Sequence, residues 1–120
     1  MSEVGMPTIM EPARQVPVVA DVDVLVAGGG PAGLAAAVTA AREGASTLLV
    51  ERHSFFGGAA TANSVHKLSQ HREVLYGISA EIIDELIRQK AAVAGRVINF
   101  DPEAYKRVTL ELLQKTGVKL

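Results

Sequence analysis

The sequence of 120 residues contains no cysteine and no tryptophan, and aromatic residues make up only 4% of it. Without cysteine these residues have no disulfide, no thiolate metal site and no cysteine nucleophile. The low aromatic content and a net charge of −1, with acids and bases interspersed, argue against a nucleic-acid-binding surface. The composition, 48% hydrophobic and 21% charged, is that of a globular protein, and the length allows one small domain at most.

The N-terminal segment has neither the basic start and apolar core of a signal peptide nor a run long enough to span a membrane. We interpret residues 1–18 as a flexible or loosely docked arm and residues 19–120 as the folded part. We expect a cytoplasmic protein without a membrane or nucleic-acid partner, and the sequence leaves its oligomeric state open.

Residues 22–51 predict a strand, a helix and a second strand. The apolar, β-branched run Val22–Ala27 is typical of a parallel strand covered on both faces. Three glycines follow, and Pro31 suits the first turn of an alanine-rich helix. Gly44 predicts the left-handed end of that helix, and Ser46–Val50 predicts the second strand. Such a βαβ unit has a right-handed crossover.

The glycines and one acidic residue of this unit predict dinucleotide binding. Gly28, Gly30 and Gly33 fit the pattern G-x-G-x-x-G, and 17 residues (34–50) separate them from Glu51. These glycines permit a tight turn, close approach of a pyrophosphate and close packing of helix on strand. The Glu51 carboxylate can accept hydrogen bonds from a ribose and repels a 2′-phosphate, which argues against NADP. The alternative is a glycine-rich turn in an ordinary α/β sheet, with Glu51 merely exposed.

The segment after Glu51 favours FAD over NAD. A plain NAD-binding unit continues through a helix into its third strand. Here we expect a loop rich in glycine, alanine, serine and histidine, then two helices before any new strand. Such an insertion suits a cofactor that extends past the first βαβ unit.

The stretch "VAGGGPAGLAAAVTAAREGASTLLVER", followed by "HSFFGGAATA", resembles the N-terminus of FAD-dependent oxidoreductases of the two-dinucleotide-binding, glutathione-reductase-like type. The later "DPEAYKRVTLELLQKTGVKL" resembles the same group, so the resemblance covers about residues 22–120. It implies a Rossmann-like fold. Flavoprotein disulfide reductases carry a cysteine pair shortly after the second glycine pair, whereas Ala59, Ala60 and Thr61 stand here. Dithiol chemistry is therefore excluded from this segment.

The resemblance also implies roles by position. The first glycine segment would contact the FAD pyrophosphate, Glu51 the ribose, and Arg52 the adenine end. Gly57 and Gly58 would let the chain pass close to the pyrophosphate and ribityl portion, with Thr61 toward the flavin. Two adjacent glycines offer unhindered N–H groups to an anion, although a simple loop turn would also explain them. The predicted cofactor-binding residues are Gly28, Gly29, Gly30, Pro31, Ala32, Gly33, Glu51, Arg52, Gly57, Gly58 and Thr61.

Three histidines raise the question of a metal site. His66 and His71 are five residues apart, which does not place them on one helical face, and no carboxylate cluster accompanies them. We therefore predict no metal site. We keep as a hypothesis that either His53 or His66 contacts the substrate or the cofactor. No catalytic residue is assigned.

The second half predicts two helices and a strand start. An apolar stripe within Gly77–Lys90 predicts a helix docked on its own domain rather than on a partner. Asp101 as N-cap followed by Pro102 predicts a second helix, which Gly117 ends. Residues 118–120 then begin a strand.

The predicted fold class is α/β: a Rossmann-like βαβ dinucleotide-binding unit (22–51), a mainly helical insertion (52–117) and the start of the next strand (118–120). We interpret this as an incomplete doubly wound parallel sheet, the N-terminal portion of the FAD-binding domain of a longer flavoprotein. The fragment alone is expected to be inactive.

The predicted function is the N-terminal FAD-binding region of an FAD-dependent oxidoreductase. Such an enzyme passes hydride or electrons from a small-molecule substrate to an acceptor through bound flavin. Two alternatives stay open: a flavin-dependent RNA-modifying enzyme, and a non-catalytic module that binds NAD or FAD.

Overall fold

The computed structural model describes residues 7–120. Residues 1–6 of the predicted arm lie outside the described residues. Residues 7–21 are exposed and form neither helix nor strand, and the flexibility predicted for residues 7–18 stays a prediction. Among residues 7–120, no helix combines the length and apolar character needed to cross a bilayer.

The first half contains the predicted strand, helix and strand. Strand β1 (Val24–Ala27) is followed by helix α1 (Pro31–Arg42) and strand β2 (Thr47–Val50). The two strands are parallel and pair along their whole length. Gly44 has a φ of 90°, the left-handed conformation expected just beyond the end of α1.

A third segment joins the parallel sheet at its other edge. The N–H of Leu49 donates to the carbonyl oxygen of Lys119 at 2.9 Å, and the N–H of Lys119 donates to Thr47 at 2.9 Å. The order of the segments across this parallel sheet is therefore Lys119, β2, β1. The expectation that both faces of β1 are covered is not met by the described residues, since Leu25 is 62% exposed. Helix α1 covers only the other face.

Two further helices complete the core, as the apolar stripe and the capping pattern predict. Helix α2 (Gly77–Arg88) buries Ile82, Ile83 and Leu86. Helix α3 (Pro102–Thr116) begins after Asp101, whose side chain accepts a hydrogen bond from the N–H of Glu103, and ends at Gly117 with a φ of 79°. The core lies where the three helices meet; its fully buried members include Leu34, Val38, Leu49, Ile83, Leu86, Ile98 and Leu113.

The prediction that no new strand lies between β2 and residue 118 was wrong. Strands β3 (Lys67–Leu68), β4 (Ala92–Val93) and β5 (Ile98–Phe100) form an antiparallel sheet in the order β3–β5–β4. Strands of two or three residues are too short for the alternation of apolar and polar residues that identifies a strand in a sequence. The insertion therefore contains a small sheet in addition to its helices, which account for most of its regular structure.

Candidate dinucleotide-binding site

The first glycine turn joins the end of β1 to the start of α1. The N–H of Gly28 donates to the carbonyl oxygen of Val50 at 2.8 Å, which ties this turn to the end of β2. Gly28 has a φ of 106°, a conformation that is strained for any residue with a side chain. A Cβ on Gly33 would overlap the carbonyl oxygen of Gly28 and lie 3.0 Å from its carbonyl carbon. These contacts require glycine at both positions even without a ligand.

The start of α1 leaves its backbone donors uncapped. Gly30 is the N-cap and has no side chain to accept a hydrogen bond, and Pro31 occupies the first helical position. The first turn contains no acidic residue. Within the described chain, the N–H groups of Ala32 and Gly33 are thus held at the positive end of the helix without a capping carboxylate. A bound anion suits this position.

The second glycine turn lies directly on the first. The N–H of Gly57 donates to the carbonyl oxygen of Gly29 at 2.8 Å. A Cβ on Gly58 would lie 3.0 Å from the Cα of Gly30 and 3.3 Å from the Cδ of Pro31. Gly57 and Gly58 both have positive φ values, 118° and 56°. Two segments far apart in the sequence thereby form one glycine-lined surface at the start of α1.

The Glu51 carboxylate is held between two backbone donors. Its Oε2 accepts from the N–H of Gly29 at 2.7 Å, and its Oε1 accepts from the N–H of His53 at 3.0 Å. These bonds, that from His53 first, lower the pKa of Glu51 below its ordinary value. The ionised carboxylate has about four acceptor positions and uses two here, so it can still accept bonds from hydroxyl groups.

Gly29, the middle residue of the first turn, is buried and has a contact that the motif does not predict. A Cβ at this position would lie 2.5 Å from Cδ1 of Phe56, so the aromatic ring packs against the glycine backbone. Sequence reasoning missed Phe56. The signal was the third consecutive glycine, since the motif itself leaves the middle position free.

Thr61 and Tyr105 support the second glycine turn from behind. Thr61 is 5% exposed, and its hydroxyl donates to the carbonyl oxygen of Phe56 at 2.9 Å. A Cβ on Gly57 would lie 3.1 Å from the ring of Tyr105, which projects from α3. Burial raises the pKa of Tyr105. Tyr105 carries no local sequence signal, and the placement of Thr61 toward a flavin stays a prediction.

Arg52 and the histidines lie at the margin of the site or outside it. Arg52 is exposed, and its Nε donates to Nε2 of His53 at 3.3 Å. His66 Nδ1 lies 2.8 Å from the carbonyl oxygen of Ser64, in the loop before β3. No three His, Cys, Asp or Glu side chains in residues 7–120 come together as a metal site would require.

The combined geometry fits a dinucleotide. The two glycine turns touch at Gly30 and Gly58, where a Cβ on Gly58 would come within 3.0 Å of the Cα of Gly30. The uncapped helix start suits a diphosphate, and the neighbouring ionised carboxylate suits ribose hydroxyls. Through its backbone N–H groups and one carboxylate, this arrangement can bind and orient a cofactor.

Comparison with known proteins identifies the sequences that share this region. Residues 23–120 match the family described as FAD dependent oxidoreductase. Thiamine thiazole synthase of Methanococcus vannielii is 31% identical over 102 residues, which cover 82% of this chain and 34% of that enzyme. Aklavinone 12-hydroxylase DnrF of Streptomyces peucetius is 34% identical over 98 residues, 73% of this chain and 20% of the relative.

The crystal structure of Thermovibrio ammonificans THI4 shares the fold. It matches with a TM-score of 0.53 at 21% sequence identity, over 82% of this chain and 37% of that chain. The chain therefore spans well under half the length of the proteins it matches.

Proposed function

Because the chain belongs to the family of FAD-dependent oxidoreductases, we propose that it is the region of such an enzyme that holds the adenosine diphosphate half of FAD. FAD is the cofactor of this family, so the prediction of FAD is confirmed. The observation that carries the proposal is the hydrogen bond from Gly57 to Gly29, which joins two glycine turns at one helix start beside Glu51.

The proposed contacts divide between two chemical groups of the cofactor. The N–H groups at the start of α1 and along the second glycine turn bind the pyrophosphate, because they are unhindered and lie at the positive end of a helix dipole. Glu51 binds the adenosine ribose, and Arg52 lies beside the adenine end. The proposed set is Gly28, Gly29, Gly30, Pro31, Ala32, Gly33, Glu51, Arg52, Gly57, Gly58 and Thr61.

Glu51 also sets which nucleotides the site accepts. Its pKa is lowered by the backbone N–H groups of His53 and Gly29, so the carboxylate is ionised at neutral pH. An ionised carboxylate accepts hydrogen bonds from ribose hydroxyls and repels a phosphate on the 2′ oxygen. We therefore expect discrimination against NADP.

Bound flavin supplies the redox chemistry, accepting hydride or electrons from a substrate and passing them to an acceptor. The residues of this chain bind and orient the cofactor. The two relatives are named for a thiazole synthase and a hydroxylase, so the feature they share with this chain is the cofactor region rather than the substrate. A small-molecule substrate, a cytoplasmic location and a Rossmann-like, doubly wound sheet are parts of the proposal. The parallel order of Lys119, β2 and β1 supports that sheet.

The proposal is tested by denaturing the purified protein and identifying the released nucleotide by mass spectrometry. We expect FAD, and we expect the bound flavin to be bleached anaerobically by an electron donor. Release of NAD, or of no nucleotide after incubation with FAD, would contradict the binding proposal. Tight binding of a flavin that no donor reduces would instead indicate a structural cofactor and contradict the oxidoreductase proposal.

A further inference from the structure

Gly29 is glycine for a reason other than backbone conformation. Its φ lies outside the left-handed region, so an alanine here would not be strained by its own dihedral angles. The obstacle is steric: an added Cβ would lie 2.5 Å from Cδ1 of Phe56 and 3.3 Å from Oε2 of Glu51. The ring of Phe56 therefore determines which residue position 29 can carry.

Three elements of the site meet at Gly29. Its N–H donates to Glu51, its carbonyl oxygen accepts from Gly57, and its Cα faces the ring of Phe56. The backbone of Phe56 is held by Thr61, whose hydroxyl donates to the Phe56 carbonyl oxygen at 2.9 Å. A displacement of the ring would thus move the ribose-binding carboxylate and the second glycine turn together.

We propose that Phe56 is a positioning residue for the cofactor: its ring, seated on Gly29, sets the separation of the two glycine turns and the position of Glu51. This inference rests on the proposed function. The ring acts on FAD binding through Gly29 and Glu51 and needs no contact with the cofactor. Phe56 is half-buried and packs against the core, so the ring limits how far the Gly29 backbone can move on the side where the two touch.

A double-mutant cycle of Gly29→Ala and Phe56→Ala tests this coupling. FAD affinity is measured by the change in flavin fluorescence on titration. We expect Gly29→Ala to weaken FAD binding by about tenfold to a hundredfold, the usual effect of one methyl group forced into a packed site. Added to Phe56→Ala, the same change should cost less than about threefold, because the ring that the methyl group meets is gone.

Phe55 provides the matched control, because it is the adjacent phenylalanine and contacts His53 and Lys106 rather than Gly29. The factors by which Gly29→Ala and Phe55→Ala each weaken FAD binding should multiply in the double variant. Phe56→Leu guards against loss of folding, since it keeps an apolar side chain that can move away from the methyl group. It should recover part of the affinity that Gly29→Ala loses, at an unfolding temperature no lower than that of the single variant.

Each outcome bears on one proposal or on both. The positioning role is supported if the effects of Gly29→Ala and Phe56→Ala on FAD affinity do not multiply, while those of Gly29→Ala and Phe55→Ala do. If the wild type binds FAD and the Gly29 and Phe56 effects multiply, the positioning role is wrong and the proposed function stands. If the wild type binds no FAD, the proposed function fails, and the positioning role fails with it.

Discussion

The glycine turns and the outer faces of α2 and α3 differ in the groups that make their contacts. At the turns, backbone N–H and C=O groups make the contacts, and an added Cβ on Gly33 overlaps a carbonyl oxygen. On the helices, long charged side chains pair at the surface, as Glu81 of α2 does with Arg42 at the end of α1 at 2.7 Å. A cavity of about 710 Å³ lies between these helices; its lining includes charged residues and none of the residues of the two glycine turns.

This contrast shows that the cavity and the candidate site at the glycine turns lie in different parts of the chain. Four of the charged residues that line the helical cavity form ion pairs: Glu81 with Arg42, Asp84 with Arg72, and Glu85 with Arg88. The glycine turns instead leave N–H groups at a helix start without a side-chain cap among the described residues. We therefore expect the addition of one methyl group at the turns to reduce FAD affinity and stability strongly. Removal of a charge from the helical faces should change both only slightly.

The largest effect is expected for Gly33→Ala. Its Cβ would meet the backbone of Gly28, which cannot move without breaking the turn. We expect FAD binding to be lost and the free energy of unfolding to fall by about 3 kcal/mol. Flavin titration and urea unfolding measure the two effects. Gly95→Ala is the control, since its Cβ would make an ordinary 3.6 Å contact and both quantities should stay near wild type.

A substitution in the core beneath the helical faces should lower stability and leave FAD affinity nearly unchanged. Ile83 is 1% exposed and belongs to the core shared by the three helices. We expect Ile83→Ala to lower the free energy of unfolding by about 2–5 kcal/mol while FAD affinity of the folded protein stays within about threefold of wild type. A parallel loss of affinity, measured below the unfolding transition, would contradict the separation of the two regions.

Glu51→Gln removes the charge at the edge of the glycine turns. The amide has one oxygen, so one of the N–H groups of Gly29 and His53 loses its acceptor. We expect FAD affinity to fall by about tenfold to a hundredfold and discrimination against NADP to weaken. Glu43→Gln, at the exposed end of α1, should leave affinity unchanged. Equal effects of both variants would show that general charge, rather than position, governs binding.

The pH dependence of FAD binding follows from the same carboxylate. The pKa of Glu51 is lowered from an ordinary value of 4.5, so Glu51 is still ionised at pH 5. A group with a depressed folded pKa contributes stability above its unfolded pKa and loses it as pH falls through the folded pKa. The Glu51 contribution to affinity and stability should thus be constant from pH 7 to about 5 and decline only below pH 4.5. The decline should be smaller in Glu51→Gln, and a transition near pH 6 unique to wild type would contradict the assignment.

The smallest effect is expected on the helical surface. Arg42 and Glu81 have side chains 43% and 44% exposed, so solvent screens their attraction. We expect Arg42→Ala to change the free energy of unfolding by less than about 1 kcal/mol and to leave FAD affinity unchanged. Urea unfolding and flavin titration check both. A large loss of affinity would show that this surface and the glycine turns are coupled.

The sequence predicted the parts of the fold that depend on near neighbours. The turn glycines, the N-cap Asp101 and the helix-ending Gly44 and Gly117 each have a local steric or hydrogen-bonding cause, and the structure shows each in the expected conformation. The antiparallel sheet of β3, β4 and β5 was missed because its strands are too short to show a period.

The contacts that hold the site together could not be predicted. Phe56 on Gly29 and Tyr105 on Gly57 join segments that are distant in sequence, and packing selects such partners by shape rather than by pattern. The one sequence signal was the glycine at position 29, which the motif does not require and which indicates a side chain packed closely against it. The bonds from Gly29 and His53 to Glu51 likewise depend on where the two loops meet.

The most direct test of the central claim is an NMR titration of the ¹⁵N-labelled protein with ADP, the half of FAD that the glycine turns are proposed to hold. We predict that the amide signals of Gly28–Gly30, Ala32, Gly33 and Gly57–Gly58 shift with saturation, while those of α2 stay unchanged. Shifts confined to the residues around the cavity between α2 and α3 would contradict the account, as would a spectrum that ADP leaves unchanged.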